Sequence, residues 1–366
     1  MKNSNESIRP VPKPAFGECA SKFFEMQEIA DDAYSGEYML GGDDAACQKI
    51  CRADAGMRFW NRSSGNISKM PKFGVSIYSI SRKIMSGEMA PTDGVKWLAE
   101  NGAEIIELVP FGIDLINTPN LIDDLLKTSK EVNVPLVNYS LNADFLQLTP
   151  DEYQAEIFRV KSHIDAAGRL HLPFVRIDCA GYRRPIETNS IENFQLELPL
   201  IIETYRLLCD YATRYNMTIL IENHGFHVNG SERIRQILKG MSDVKNFGHQ
   251  LDVGNYECVD DRAEIAVTRL LPFATTIHMK DFYIRSRDPG DATQFDCSGA
   301  WFRSTGGKYL RGSIMGQGDL DMYNIIGQIK KSGFAGNIII EFEGMEDCLY
   351  GTKVSLDNLK RIYSQV

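Results

Sequence analysis

The sequence predicts an α/β protein folded as a (β/α)8 barrel of the TIM type, carrying an N-terminal extension. Three observations predict it. From Lys72 onward, short β-branched runs alternate with amphipathic stretches, and eight such runs are present. The chain has 366 residues, a size that barrels of this class reach as one unit. An open doubly wound sheet usually shows a glycine-rich phosphate loop after its first strand, and YSISRKIMSG (78–87) is not one.

The predicted strands are FGVSIYS (73–79), AEIIELVPF (103–111), VPLVNYSL (134–141), PFVRIDCA (173–180), MTILIENH (217–224), GHQLDVGNY (248–256), ATTIHMKDF (274–282) and NIIIEFEG (337–344). Helix signals lie between them. TDGVKWLAENG starts with Thr and stops at Gly. TPDEYQAEIFRVKSHIDAAG combines a Thr-Pro-Asp-Glu start with apolar spacing near 3.6. SIENFQLELPLIIETYRLLCDYATRYN and DMYNIIGQIKKSGF continue the pattern. Segment 283–317 is long for a strand-to-helix connection and carries Arg285, Arg287, Trp301, Arg303 and Arg311, so it reads as a lid or binding loop. Residues 1–71 show no strand pattern. They read as an extension, Pro-rich at 10–14 and patchily helical after that, which packs on the larger domain or is partly mobile, and residues 72–366 read as the barrel domain.

Composition limits the function classes. A formal charge of −9 argues against nucleic-acid backbones and anionic membranes as partners. No segment has the apolar length of a signal peptide or a membrane span, so a soluble, cytoplasmic protein is expected. Eight scattered cysteines in a chain this large read as reduced thiols; Cys47 and Cys51, four apart, would share a helix face, but no second pair accompanies them.

Barrel active sites sit at the C-terminal strand ends, where alternate side chains face the axis. Four late strands each place a metal-capable group there: Glu222, Asp252, His278 and Glu341. Singly, each reads as a solvated, paired or structural residue. In register at successive strand ends, three carboxylates and an imidazole fit a divalent cation, because an unpaired buried carboxylate is costly. The donor set favours Mn2+, Mg2+ or Co2+, with Zn2+ also admissible. By alternation, His224 and Lys280 face the same side, one pleat nearer the mouth, and are candidates for substrate contact, His224 otherwise supporting the site and Lys280 otherwise pairing with Asp281. Arg176 and Asp178 read as a paired interior layer, and Glu107 as interior polarity that is structural or positions substrate. His227 and Arg303 are weaker substrate-contact candidates on loops. The glycines of MGQGDLD (315–321) allow tight backbone turns, and Asp319 is placed to cap the next helix.

The segments IENHG, LDVGN, IHMKD, MGQGDLD and IIIEFEGME resemble, in that order, the xylose isomerase-like sugar phosphate isomerases and epimerases. The resemblance runs from about Lys72 to the C-terminus. It implies that Glu222, Asp252, His278 and Glu341 bind one divalent cation. It further implies that Glu222 and Glu341 act as the catalytic pair, removing and returning a proton beside a carbonyl through a metal-bound enediolate. The substrate implied is a small sugar, keto-sugar or cyclitol derivative. Ketose 3-epimerases of the family tend to carry an acidic residue where this chain has Val228 and a histidine where it has Asn255, which points away from a free ketose. A lyase or dehydratase acting on a keto-sugar or inosose-like substrate needs the same residues and is the alternative. Cleavage of damaged DNA is disfavoured by six histidines in the whole chain and by its acidic charge. A homo-oligomer is compatible with the sequence.

Overall fold

The computed structural model of the chain describes residues 70–185, 188–290 and 300–366. Except for Met70 and Pro71, the expected extension lies outside the described residues, as do Cys19, Cys47, Cys51 and Cys297. Cys179, Cys209, Cys258 and Cys348 are free thiols, all buried.

In chain order the elements are β1 (Lys72–Ser76), α1 (Ser81–Met85), α2 (Pro91–Glu100), β2 (Ile106–Leu108), α3 (Pro119–Glu131), β3 (Leu136–Leu141), α4 (Pro150–Arg169), β4 (Phe174–Ile177), α5 (Ile191–Ala212), β5 (Thr218–Glu222), α6 (Ser231–Gly240), β6 (Phe247–Asp252), α7 (Ala263–Leu270) and β7 (Ala274–Met279). There follow β8 (Asp281–Arg285), β9 (Phe302–Arg303), β10 (Tyr309–Ser313), α8 (Met322–Ser332), β11 (Asn337–Ile340) and α9 (Cys348–Gln365). Strands β1 to β7 and β11 pair in parallel, and β1 hydrogen-bonds to both β2 and β11, so the sheet closes into an eight-stranded barrel. All eight coincide with the predicted runs.

The strands form where they do because both faces are covered. Every residue of β3 is buried, as expected of a parallel sheet with helices outside and packed side chains within. Helix α4 starts on a complete capping box: Glu152 N–H donates to Thr149 Oγ1, and Glu152 Oε2 accepts from the Thr149 N–H at 2.8 Å. Thr149→Ala should therefore lower stability by about 1 kcal/mol, read as a shift of the urea midpoint without a change of slope.

Segment 283–317 is the main departure from expectation. Its described residues hold most of a three-stranded antiparallel sheet ordered β8-β10-β9. Asp281 anchors this sheet: its carboxylate accepts from the N–H groups of Phe282, Gly316, Gly318 and Leu320. A Cβ on Gly318 would lie 2.2 Å from Asp281 Oδ1, so only glycine permits this approach. Asp319 does not cap the next helix. It accepts from the Ile284 N–H and from Arg285, and the cap of α8 is Asp321, which accepts from the Asn324 N–H.

His249 on β6 faces the helices, fully buried. Its Nδ1 lies 3.1 Å from the Ile221 carbonyl and its Nε2 has no partner. Burial pushes its pKa down to about 4. The folded chain refuses a proton that the unfolded chain takes up below the ordinary value of 6.5, so the contribution is intact above pH 6.5 and is lost as pH falls toward 4. Across that window the wild type should lose roughly 3 kcal/mol more stability than His249→Phe, measured by urea unfolding at a series of pH values.

Candidate metal and active site

Register decides which side chains meet. Asp252 pairs with His278 across β6 and β7, Glu222 pairs with Gln250, and Glu341 follows Ile340, the partner of Met279. Glu222 and Asp252 are the last residues of their strands, His278 the penultimate, and Glu341 the first beyond β11. Their ligand atoms converge, with one from each residue lying within 4.8 Å of all the others. His278 Nδ1 is 3.1 Å from Glu222 Oε1, 3.8 Å from Asp252 Oδ2 and 3.7 Å from Glu341 Oε2. All four side chains are buried.

Each outer glutamate has its own cation. Arg176 Nε lies 2.9 Å from Glu222 Oε2, while its Nη1 lies 2.7 Å from Asp178 Oδ1. Lys280 Nζ lies 2.6 Å from Glu341 Oε2, 3.7 Å from Asp252 Oδ2 and 3.6 Å from Glu343 Oε2. Burial opposes ionisation of both glutamates. Arg176 and His278 nonetheless hold Glu222 down to about 2, and Lys280 and His278 hold Glu341 well below the usual carboxylate range. Asp252 goes the other way. Burial above all, with Glu222 and Glu341 adding to it, pushes it up to about 7 against the pull of Lys280.

Negative charge is therefore in local excess, and hydrogen bonding does not absorb it. Both oxygens of Glu222 and Oδ2 of Asp252 are buried without a hydrogen bond, since Arg176 and His278 stand at ion-pair distance from Glu222 but out of line. Orphaned carboxylate oxygens around one imidazole nitrogen fit a divalent cation in their midst.

The other predicted residues divide into two groups. His224 stands beside the cluster, with Nδ1 2.9 Å from Asp178 Oδ2 and its ring 5.2 Å from that of Tyr182. Lys280 and Arg176 touch the cluster directly. Glu107 lies across the barrel interior, fully buried, with Oε2 2.9 Å from His278 Nε2. His227 is not brought to the cluster; its Nε2 meets Glu197 at 2.7 Å and its Nδ1 meets Asn189 at 3.1 Å. Arg303 lies exposed on β9 with its guanidinium over the Tyr309 ring. Sequence reasoning missed Glu343, although the Glu-Phe-Glu alternation after β11 carried the signal. It also missed Asn138 and Gln250, which have no motif around them.

The chain is thus a (β/α)8 barrel with a buried cluster of three carboxylates and one imidazole at the C-terminal ends of its strands, the face where barrels of this type carry their sites. A family model, the xylose isomerase-like TIM barrel, matches residues 95–363, and the chain belongs to that family. No curated protein matches in sequence. Among solved structures, the chain resembles a 3-keto-D-glucoside 4-epimerase from E. coli (13% identity, TM-score 0.57, covering 80% of this chain and 99% of that one). It also resembles a probable 3-DHS dehydratase from Bacillus anthracis involved in petrobactin synthesis (16%, 0.60, 79% and 98%). A third is a xylose isomerase-like TIM barrel protein from Mycobacterium smegmatis in complex with magnesium (15%, 0.58, 82% and 100%). At these identities the likeness is one of fold. No helix among the described residues is long and apolar enough to cross a membrane.

Proposed function

We propose that the chain is a divalent-metal-dependent isomerase or epimerase that moves a proton beside the carbonyl of a sugar, keto-sugar or cyclitol derivative. The observation that carries this reading is the arc from β5 to β11, with Glu222 and Glu341 at its two ends and Asp252 and His278 between. These four residues would hold the cation. Mn2+, Mg2+ and Co2+ suit the donors best. When bound, the cation supplies Lewis acidity that makes a C–H beside a coordinated carbonyl acidic enough to lose its proton.

Glu341 and Glu222 reach the substrate from opposite ends of the arc. One, as the carboxylate, takes the proton; the other relays a proton taken from solvent to the opposite face, which inverts the carbon, and the first then returns its proton to solvent. Both are kept ionised by their own cation, Lys280 or Arg176, so each is ready to accept. Low basicity is the cost of that arrangement, which makes the acidified C–H essential. In this reading His224 and Lys280 hold substrate oxygens, and burial of the cluster limits the access of bulk water to the reacting carbon.

A second reading is a lyase. The Lys280 ammonium, 2.6 Å from Glu341, sets a proton donor beside the base, which is what expulsion of a hydroxyl requires. One experiment separates the readings. The Mn2+-loaded protein is incubated with a panel of keto-sugars and inososes in deuterated water, and the products are analysed by mass and NMR. Epimerisation places solvent deuterium at the inverted carbon. Elimination gives a product lighter by water. Complete retention of the substrate hydrogen in an isomerised product would exclude proton transfer by these glutamates.

A further inference from the structure

His278 has two ring nitrogens, and the fold gives them different neighbours. Nδ1 faces Glu222, Asp252 and Glu341. Nε2 faces only Glu107, whose Oε2 lies 2.9 Å away, and both side chains are fully buried. Glu107 comes from β2, on the far side of the barrel from β7. Its position is fixed in turn. Asn138 Nδ2 donates to the same Oε2 at 2.6 Å and to Gln250 Oε1 at 2.7 Å, so β2, β3 and β6 all contribute to the hold on one imidazole.

We propose that Glu107 is a positioning residue for the metal site. By accepting the Nε2–H it fixes the ring orientation, so that Nδ1 faces the carboxylate cluster and is the nitrogen left to bind a cation once its own proton is displaced. A ring turned over about its Cβ–Cγ bond would present carbon to Glu107 and leave that buried carboxylate with Asn138 as its one remaining donor, a loss the interior penalises. A carboxylate on the second nitrogen also raises the basicity of the first toward a cation. This inference rests on the metal reading of the cluster.

The test uses the full chain with Glu107→Gln and Glu107→Leu. Gln keeps an acceptor of the same reach, whereas Leu keeps bulk alone. Mn2+ affinity, by competition calorimetry, should fall about 10–100-fold in Glu107→Leu and recover most of that loss in Glu107→Gln. In parallel, 15N-histidine labelling follows the six imidazoles of the metal-free protein. The wild type and Glu107→Gln should show a slowly exchanging, downfield Nε2–H for His278, absent in Glu107→Leu. Wild-type affinity in a Glu107→Leu chain that circular dichroism shows to be folded would overturn the proposal. So would a Glu107→Gln chain binding no better than Glu107→Leu, or a wild type without the Nε2–H resonance. A wild type that shows the resonance but takes up no Mn2+ upholds the orientation and overturns the metal reading instead.

Discussion

Glu341→Gln should lower kcat by about 10²–10⁴-fold while leaving KM within a few-fold, once Mn2+ is high enough to fill both proteins. The replacement keeps the size of the side chain and one oxygen but removes the acceptor for the substrate proton. Lys280 loses a charged partner at 2.6 Å and keeps Glu343 and Asp252 at 3.6 and 3.7 Å, so its ammonium stays compensated and the loss falls on chemistry more than on folding. Initial rates across substrate concentration, with circular dichroism as the folding control, provide the check. Full activity in this variant would remove Glu341 from the proton-transfer role and leave the metal proposal standing.

The second large effect has two opposite signs in one variant. Asp252→Asn should cut the affinity for Mn2+ by more than the roughly 10–100-fold typical of a residue that only supports a ligand. Without metal, the same variant should be more stable than the wild type at neutral pH. Burial first, then the neighbouring Glu222 and Glu341, push Asp252 up to about 7, so its charge is costly in the fold. A group with a raised folded pKa keeps its contribution below the unfolded value and loses it as pH rises through the folded one. The advantage of Asn should thus be absent near pH 4, grow as pH rises, and level off above about 7. Elemental analysis after dialysis and Tm at several pH values measure both halves. Undiminished metal in Asp252→Asn would sink the ligand assignment, and a uniformly lower Tm would sink the charge argument. His278→Ala should also lose metal, but it strips Glu107 of a partner and so confounds binding with stability.

Much of this was legible in the chain. The barrel strands are short, β-branched and buried on both faces, so their pattern survives without tertiary context. Glu222, Asp252, His278 and Glu341 stand out because each interrupts an apolar run at the same height in the fold. What the sequence hid depends on pairing between distant segments. Arg176 meets Glu222 across β4 and β5, and Glu107 reaches His278 from across the barrel. Nothing local to either residue announces the partner. The sheet of β8, β9 and β10 was hidden for a different reason: β9 is two residues long, too short for alternation to show. Asp319 failed as a helix cap because Arg285 and the Ile284 N–H compete for its carboxylate, and Asp321 two residues later is free to take the role.

Strands β8 and β10 pair from Asp281 opposite Ser313 to Arg285 opposite Tyr309. The chain therefore leaves and re-enters this stem at neighbouring points, whatever length lies between. Residues added or removed between Arg285 and Phe302 would alter loop closure by only about 0.6 kcal/mol per doubling of length and leave the barrel register untouched. That makes the connection between these strands a natural site for evolutionary tinkering and for library design.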